Sequence, residues 1–151
     1  MDQFNRTLAR YQPIVLSIFR IIVALLLFQY GVAKLFKFPL VPYFANISPL
    51  ITMAGAIELI LGALLIVGLF TRLSAFVLSG EMAVAYFMGH MFKAGVDAPV
   101  FTPLLNGGNA AILFCFACLY LAFAGGGPWS VDAMRRTQRT DIPTSLEGRV
   151  S

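Results

Sequence analysis

The sequence predicts an all-α fold: a four-transmembrane-helix bundle with antiparallel, up-down-up-down connections. Three observations carry this. First, 59% of the 151 residues are hydrophobic and only 12% are charged, whereas soluble domains run at about half apolar and a quarter charged. Second, four apolar runs, at 13–36, 49–70, 73–92 and 107–124, each approach the roughly 20 residues that cross ~30 Å of hydrocarbon as a helix. Third, the runs lack the period-two alternation of barrel strands, and of the two backbones that lipid tolerates this leaves the helix. The mean hydropathy of +0.82 leaves too little polar surface to cover a soluble particle, and disorder, collagen and a disulfide-stapled secreted module are excluded as well. A formal charge of +4 on so apolar a chain reads as charge at membrane faces, with the lipid bilayer as partner and no nucleic acid.

The elements follow in order. Residues 1–12 form a polar lead in which Phe4, Leu8 and Tyr11 fall at i, i+4 and i+7, with Arg6 and Arg10 on the other side. That pattern predicts a short interfacial helix lying on the headgroups. The run from Pro13 is too long for the apolar core of a signal peptide and has no small-residue cleavage site, so it is expected to be retained. Ser48 before Pro49 is an N-cap followed by a proline at the first helical position, where its missing N–H costs nothing. Thr71 and Arg72 leave room only for a tight antiparallel hairpin between the second and third runs. Residues 93–108, with Pro99, Phe101, Pro103, Leu104 and Leu105, are too apolar for a free loop and too broken for a helix, and are expected to fold back as an outer cap or lie as an interfacial loop. Gly125, Gly126, Gly127 and Pro128 stop the last run, Trp129 has an interfacial preference, and 125–151 is read as a mobile polar tail. The lead, the 71–72 turn and the tail together hold seven Lys and Arg, against Lys34, Lys37 and Lys93 on the other side. This places both termini in the cytoplasm, and in a bacterial cell the membrane is the inner membrane.

Ionisable groups inside the spans are the most informative residues, since a charge near a helix centre costs about 2.5–3.5 kcal/mol on insertion scales. Arg20, Glu58 and Glu81 qualify. At 1.5 Å per residue from the cytoplasmic end they lie about 10, 18 and 12 Å deep. Gly55, Glu58 and Gly62 share one side of the second helix, and Arg20, Ala24, Gly31 and Lys34 one side of the first. The expected arrangement is an interior network in which Arg20 pairs with Glu81 and with Glu58. Such a network either fixes helix register or forms a polar pocket for a small molecule or for protons.

Further polarity gathers toward the non-cytoplasmic end, where Gln29, Tyr30, Lys34, Tyr86, His90, Asn106 and Asn109 would line an outward mouth or serve as ordinary interfacial anchors. His90 shares a face with Tyr86 and lies opposite Glu81 on its helix, which disfavours a direct relay between the two. Cys115 and Cys118 form C-F-A-C, but mid-membrane and without a preceding strand or helix start they do not read as a redox dithiol. With Ala111 and Ala122 they make a small-residue seam for helix packing. One His and two apolar Cys make no zinc or haem site, so no metal is expected. No phosphate loop or nucleophile elbow is present.

Taken together, Arg20, YGVAKLF at 30–36, Glu58 with LILGALLIVGLFTR at 59–72, EMAVAYFMGH at 81–90, FTPLLNGGN at 101–109 and GGGPWSVD at 125–132 resemble the DoxX-like integral membrane proteins of bacteria. The resemblance covers about residues 13–132. It implies a four-helix inner-membrane bundle. Some members resemble subunits of membrane redox systems, including thiosulfate:quinone oxidoreductase and a mycobacterial complex linking superoxide detoxification to thiol and sulfur metabolism. Arg20, Lys34, Glu58, Glu81 and His90 match polar positions of the family pattern. Asn109 stands where an acidic residue is expected, and Tyr30 where a His is frequent, which weakens a proton-relay version.

The expectation is therefore an accessory or quinone-facing subunit of a membrane redox or thiol-stress system. A polar pocket drawn from Arg20, Tyr30, Lys34, Glu58, Glu81, Tyr86, His90 and Asn109 would take a quinone or another small molecule, and redox proteins or a second copy of the chain would be partners. Quinone headgroups accept hydrogen bonds while their tails partition into lipid, which such a pocket can host. The rival readings are a small proton-coupled transporter, in which Glu58 or Glu81 alternates between a proton and a cation, and a non-catalytic scaffold.

Overall fold

The computed structural model describes residues 1–92 and 102–140. It is all-helical, with no strand among the described residues. The elements are α1 (Asp2–Phe36), a 3-10 turn (Pro42–Phe44), α2 (Pro49–Val67), α3 (Thr71–Tyr86) continuing as a π-helix (Phe87–Met91), α4 (Pro103–Asn106), α5 (Asn109–Ala124) and α6 (Val131–Thr140). By length and apolarity α1 and α2 suffice to cross a membrane, and α5 is a shorter apolar helix.

α1 is one uninterrupted helix with Pro13 inside it. The lead expected over 1–12 is thus continuous with the first apolar run, with no break at 12–13. Proline removes one backbone donor, and one turn further on the carbonyl of Pro13 itself accepts from Ser17 Oγ at 3.2 Å. α2 begins as the sequence dictates, with Ser48 as N-cap accepting from the Ile51 N–H and Pro49 in the first turn. It ends at Gly68, whose left-handed backbone (φ 72) suits glycine. Residues 68–70 then turn the chain directly into α3.

α1 packs on α2 through small residues in antiparallel register. A Cβ on Gly31 would lie 2.6 Å from the Leu59 nitrogen and 2.8 Å from the Gly55 oxygen, and one on Gly62 would lie 3.0 Å from the Phe28 nitrogen. Any side chain at these positions would push the helices apart. The buried faces are the ones the spacing selects: Arg20, Ala24, Gly31 and Lys34 on α1, and Gly55, Glu58 and Gly62 on α2. α3 packs on α5 in the same sense, from Arg72 beside Ala122 and Phe123 to His90 beside Asn106. Ala111 and Cys118 are buried there and Cys115 partly so, with Ser79 Oγ donating to the Cys115 carbonyl at 2.9 Å. The apolar centre comprises Val23, Ala24, Leu27, Leu65, Ala75, Leu78, Met82, Cys118 and Leu121.

Two stretches depart from expectation. The chain after Ala124 is pinned rather than loose: Ser130 is buried and caps α6 by accepting from the Ala133 N–H, and the Asp132 N–H donates to the Gly68 carbonyl at 3.0 Å. The glycines read as a helix stop also bring this strap close to α1 and α3, which is why it docks. Residues 141–151 of the expected tail lie outside the described residues. Of the expected outer cap, 93–101 lie outside them too, while 102–108 contain α4.

Candidate functional site

Polar groups gather at two levels of the molecule. At the turn end, where 68–70 and 125–130 meet, Arg20 is fully buried. Its Nε donates to the Gly126 carbonyl at 2.9 Å, Nη1 to the carbonyls of Leu65 and, at 2.7 Å, Ile66, and Nη2 to the Trp129 carbonyl. The Leu65 and Ile66 carbonyls belong to the last turn of α2, the helix end that attracts cations. Asp132 completes this end: its carboxylate accepts from the Phe70 N–H at 3.0 Å and the Thr71 N–H at 2.8 Å, capping α3 from 61 residues away. Partial burial pushes the Asp132 carboxyl up, but the hydrogen bonds from Thr71 and Phe70 and the charge of Arg135 outweigh it and hold the group below its ordinary value.

This overturns the pairing inferred from depth. Arg20 joins neither Glu81 nor Glu58, because aligning helix ends ignored the carbonyls of 126 and 129, which return to the first helix and satisfy the guanidinium. Glu58 instead pairs with Lys34, Nζ to Oε1 at 2.7 Å, with Glu58 1% exposed.

That pair belongs to the second level, at the opposite end of the helices. There a cavity of about 560 Å³ opens between α1, the 3-10 turn, α2, α3 and the start of α5. Lys34, Glu58 and Glu81 contribute to its lining, along with Tyr30, Phe44, Met82, His90 and Phe114. The remaining wall is mainly apolar, including Ile57, Ala85 and Ala111. Tyr30 stands edge-on to both Phe44 and Phe114, with centroids 6.4 and 6.1 Å apart, and Lys34 Nζ sits 5.7 Å from the Phe44 ring centre. Glu58 Oε2 and both carboxyl oxygens of Glu81 are buried without a hydrogen-bond partner.

Of the eight residues singled out in the sequence, Tyr30, Lys34, Glu58, Glu81 and His90 line this cavity. Arg20 is at the other end, Tyr86 packs against Gly108, and Asn109 is exposed at the start of α5. His90 reaches the cavity because the π segment, with its i→i+5 bonding, slows the angular advance of the helix and rotates His90 from the opposite side of α3. Its Nδ1–H donates to the Asn106 carbonyl at 3.1 Å, leaving Nε2 as an acceptor. Sequence reasoning missed Phe44 and Phe114. Phe44 lies beyond the first apolar run, and only its position between two prolines hinted at a folded turn. No group of three or more His, Cys, Asp or Glu among the described residues is placed to hold a metal.

The profile of the DoxX family matches residues 15–91, a stretch that holds Arg20, Lys34, Glu58, Glu81 and His90. The chain belongs to the DoxX family. A relative in Haemophilus influenzae (strain ATCC 51907 / DSM 11121 / KW20 / Rd), described as an uncharacterized protein, is 41% identical over 128 residues, covering 83% of this chain and 93% of the relative. No solved structure matches. DoxX proteins are membrane-associated, and the described outer surface of this one carries large apolar side chains such as Ile18, Ile22, Ile60, Phe76, Leu113 and Phe116.

Proposed function

We propose that this DoxX protein is a four-helix, multi-pass inner-membrane protein with both termini in the cytoplasm, and that its cavity receives a small lipophilic molecule as the quinone-facing part of a membrane redox or thiol-stress system. The observation that carries the reading is the cavity itself: a mainly apolar chamber with an ion pair and an uncompensated carboxyl built into its wall. Its size falls within the range of small-molecule sites, about 300–1,000 Å³. In lipid, polar groups at such depth are rare and mark ligand or proton pathways. The apolar outer faces support a bilayer around the helices, and the excess of Lys and Arg in the lead, the turn and the tail supports the orientation. A headgroup carbonyl would meet Lys34 and Glu81, the ring would lie against Tyr30, Phe44 and Phe114, and an isoprenoid tail would leave toward lipid.

The test is native mass spectrometry of the protein released from lipid, together with titration of decylubiquinone. A bound quinone, or saturable quinone binding, is expected, and Ala85→Phe, which fills the chamber, should abolish it while leaving the helix content unchanged. Absence of quinone in both measurements from a folded protein overturns the reading.

A further inference from the structure

Among the described residues, the cavity wall contains one lysine and two carboxyls. Lys34 and Glu58 neutralise each other at 2.7 Å. Among the described residues Glu81 has no such companion: neither oxygen finds a donor, and both are buried in the wall. The charged groups that act on it are Glu58 and Lys34 from α2 and α1, and the buried thiol of Cys118 on α5 lies within its electrostatic reach. His90, on the continuation of its own helix, lines the same cavity but spends Nδ1 on Asn106. A carboxylate in this position would add a second negative charge beside Glu58, with no donor to it among the described residues. Burying an uncompensated charge costs far more than burying a neutral carboxyl.

We propose that Glu81 holds a proton while the cavity is empty and offers its O–H as a hydrogen-bond donor to an acceptor oxygen of the bound molecule, so that occupancy is coupled to pH. The inference rests on the small-molecule reading of the cavity and adds the chemistry of recognition: the ligand carries a carbonyl or similar acceptor, and Glu81 holds the proton that meets it. Lys34 remains committed to Glu58 and supplies the fixed charge of the wall. Raising the pH until Glu81 ionises removes the donor and places a negative charge against the ligand oxygen. Glutamine keeps a donor of nearly the same shape and cannot ionise.

The experiment uses the full chain in lipid nanodiscs, with infrared spectroscopy and decylubiquinone as the probe. The unliganded protein should show a protonated-carboxyl C=O stretch that disappears in Glu81→Gln and persists in Glu58→Gln. The affinity of the natural protein for decylubiquinone should fall roughly tenfold as the pH is raised through the loss of that band, in keeping with the loss of one buried hydrogen bond. Glu81→Gln should bind at every pH about as well as the natural protein does at low pH, whereas Glu81→Leu should bind weakly throughout. A missing band, or one that survives in Glu81→Gln, overturns the proposal. So does binding that strengthens as the pH rises and is displaced by ammonium ions, because Glu81 would then be the anionic partner of a cation. If decylubiquinone fails to bind at any pH while the Glu81-dependent band is present, the quinone reading falls and the protonated donor stands.

Discussion

The two ends of the helices treat buried charge in opposite ways. At the turn end a fully buried arginine has a carbonyl for each of the nitrogens it uses, drawn from α2 and from the strap at 125–129, and an aspartate caps the neighbouring helix. At the cavity end an ion pair sits beside an open chamber and a carboxyl with no hydrogen-bond partner among the described residues. A completed set of hydrogen bonds holds a fold together, whereas an incomplete one next to empty space is free to act on a ligand. The polar residues of this chain therefore divide by location into those that build the structure and those available for chemistry.

Three variants probe that division, and their expected effects differ in size. Arg20→Met should be the most damaging, because it removes a buried donor from the carbonyls of Ile66, Gly126 and Trp129 together. A loss of about 3–5 kcal/mol, comparable to breaking a buried charged pair, is expected in reversible unfolding from detergent micelles. A loss under 1 kcal/mol would remove the contrast between the ends.

Asp132→Ala should cost about 1 kcal/mol, the usual value of a helix cap, and it should alter the pH dependence. The Asp132 carboxyl lies below its unfolded value, so its contribution is fully present above the ordinary carboxylate range and disappears as the pH falls through the lowered folded value. The stability difference between Asp132→Ala and the natural protein should shrink on acidification, which thermal melts at a series of pH values would record.

The smallest effect on stability is expected for the paired change Lys34→Met with Glu58→Leu. Replacing both members of a buried ion pair by apolar groups is often neutral or stabilising, so unfolding should shift by no more than about 1 kcal/mol while decylubiquinone binding is lost. A large destabilisation with binding intact would place the structural role at the cavity end instead.

Much of the fold was legible in the sequence because lipid leaves a chain few options. Ser48 and Pro49 marked the start of α2, the closeness of the second and third runs marked a hairpin, though its turn falls at 68–70 and Thr71 and Arg72, expected as the turn, open α3, and the glycines at 31, 55 and 62 marked the seam between α1 and α2. Lys34, Glu58, Glu81 and His90 stood out because polar atoms are scarce in such a sequence. The pairing of Arg20 was not legible, since its partners are backbone carbonyls, which every residue possesses and no residue type announces. GGGPW looked like a helix stop, and it is one, but its docking onto Arg20 and Ser17 depends on a return path the local pattern does not encode. The π segment was equally hidden: nothing in FMGH distinguishes one extra residue per turn, yet that residue determines where His90 ends up.

The length of α1 has a consequence of its own. Thirty-five residues rise about 50 Å at 1.5 Å each, while the oily layer they would traverse is about 30 Å deep. Set across such a layer in the proposed orientation, even with a modest lean, α1 would carry several turns at its amino end, with Arg6 and Arg10, beyond the acyl chains.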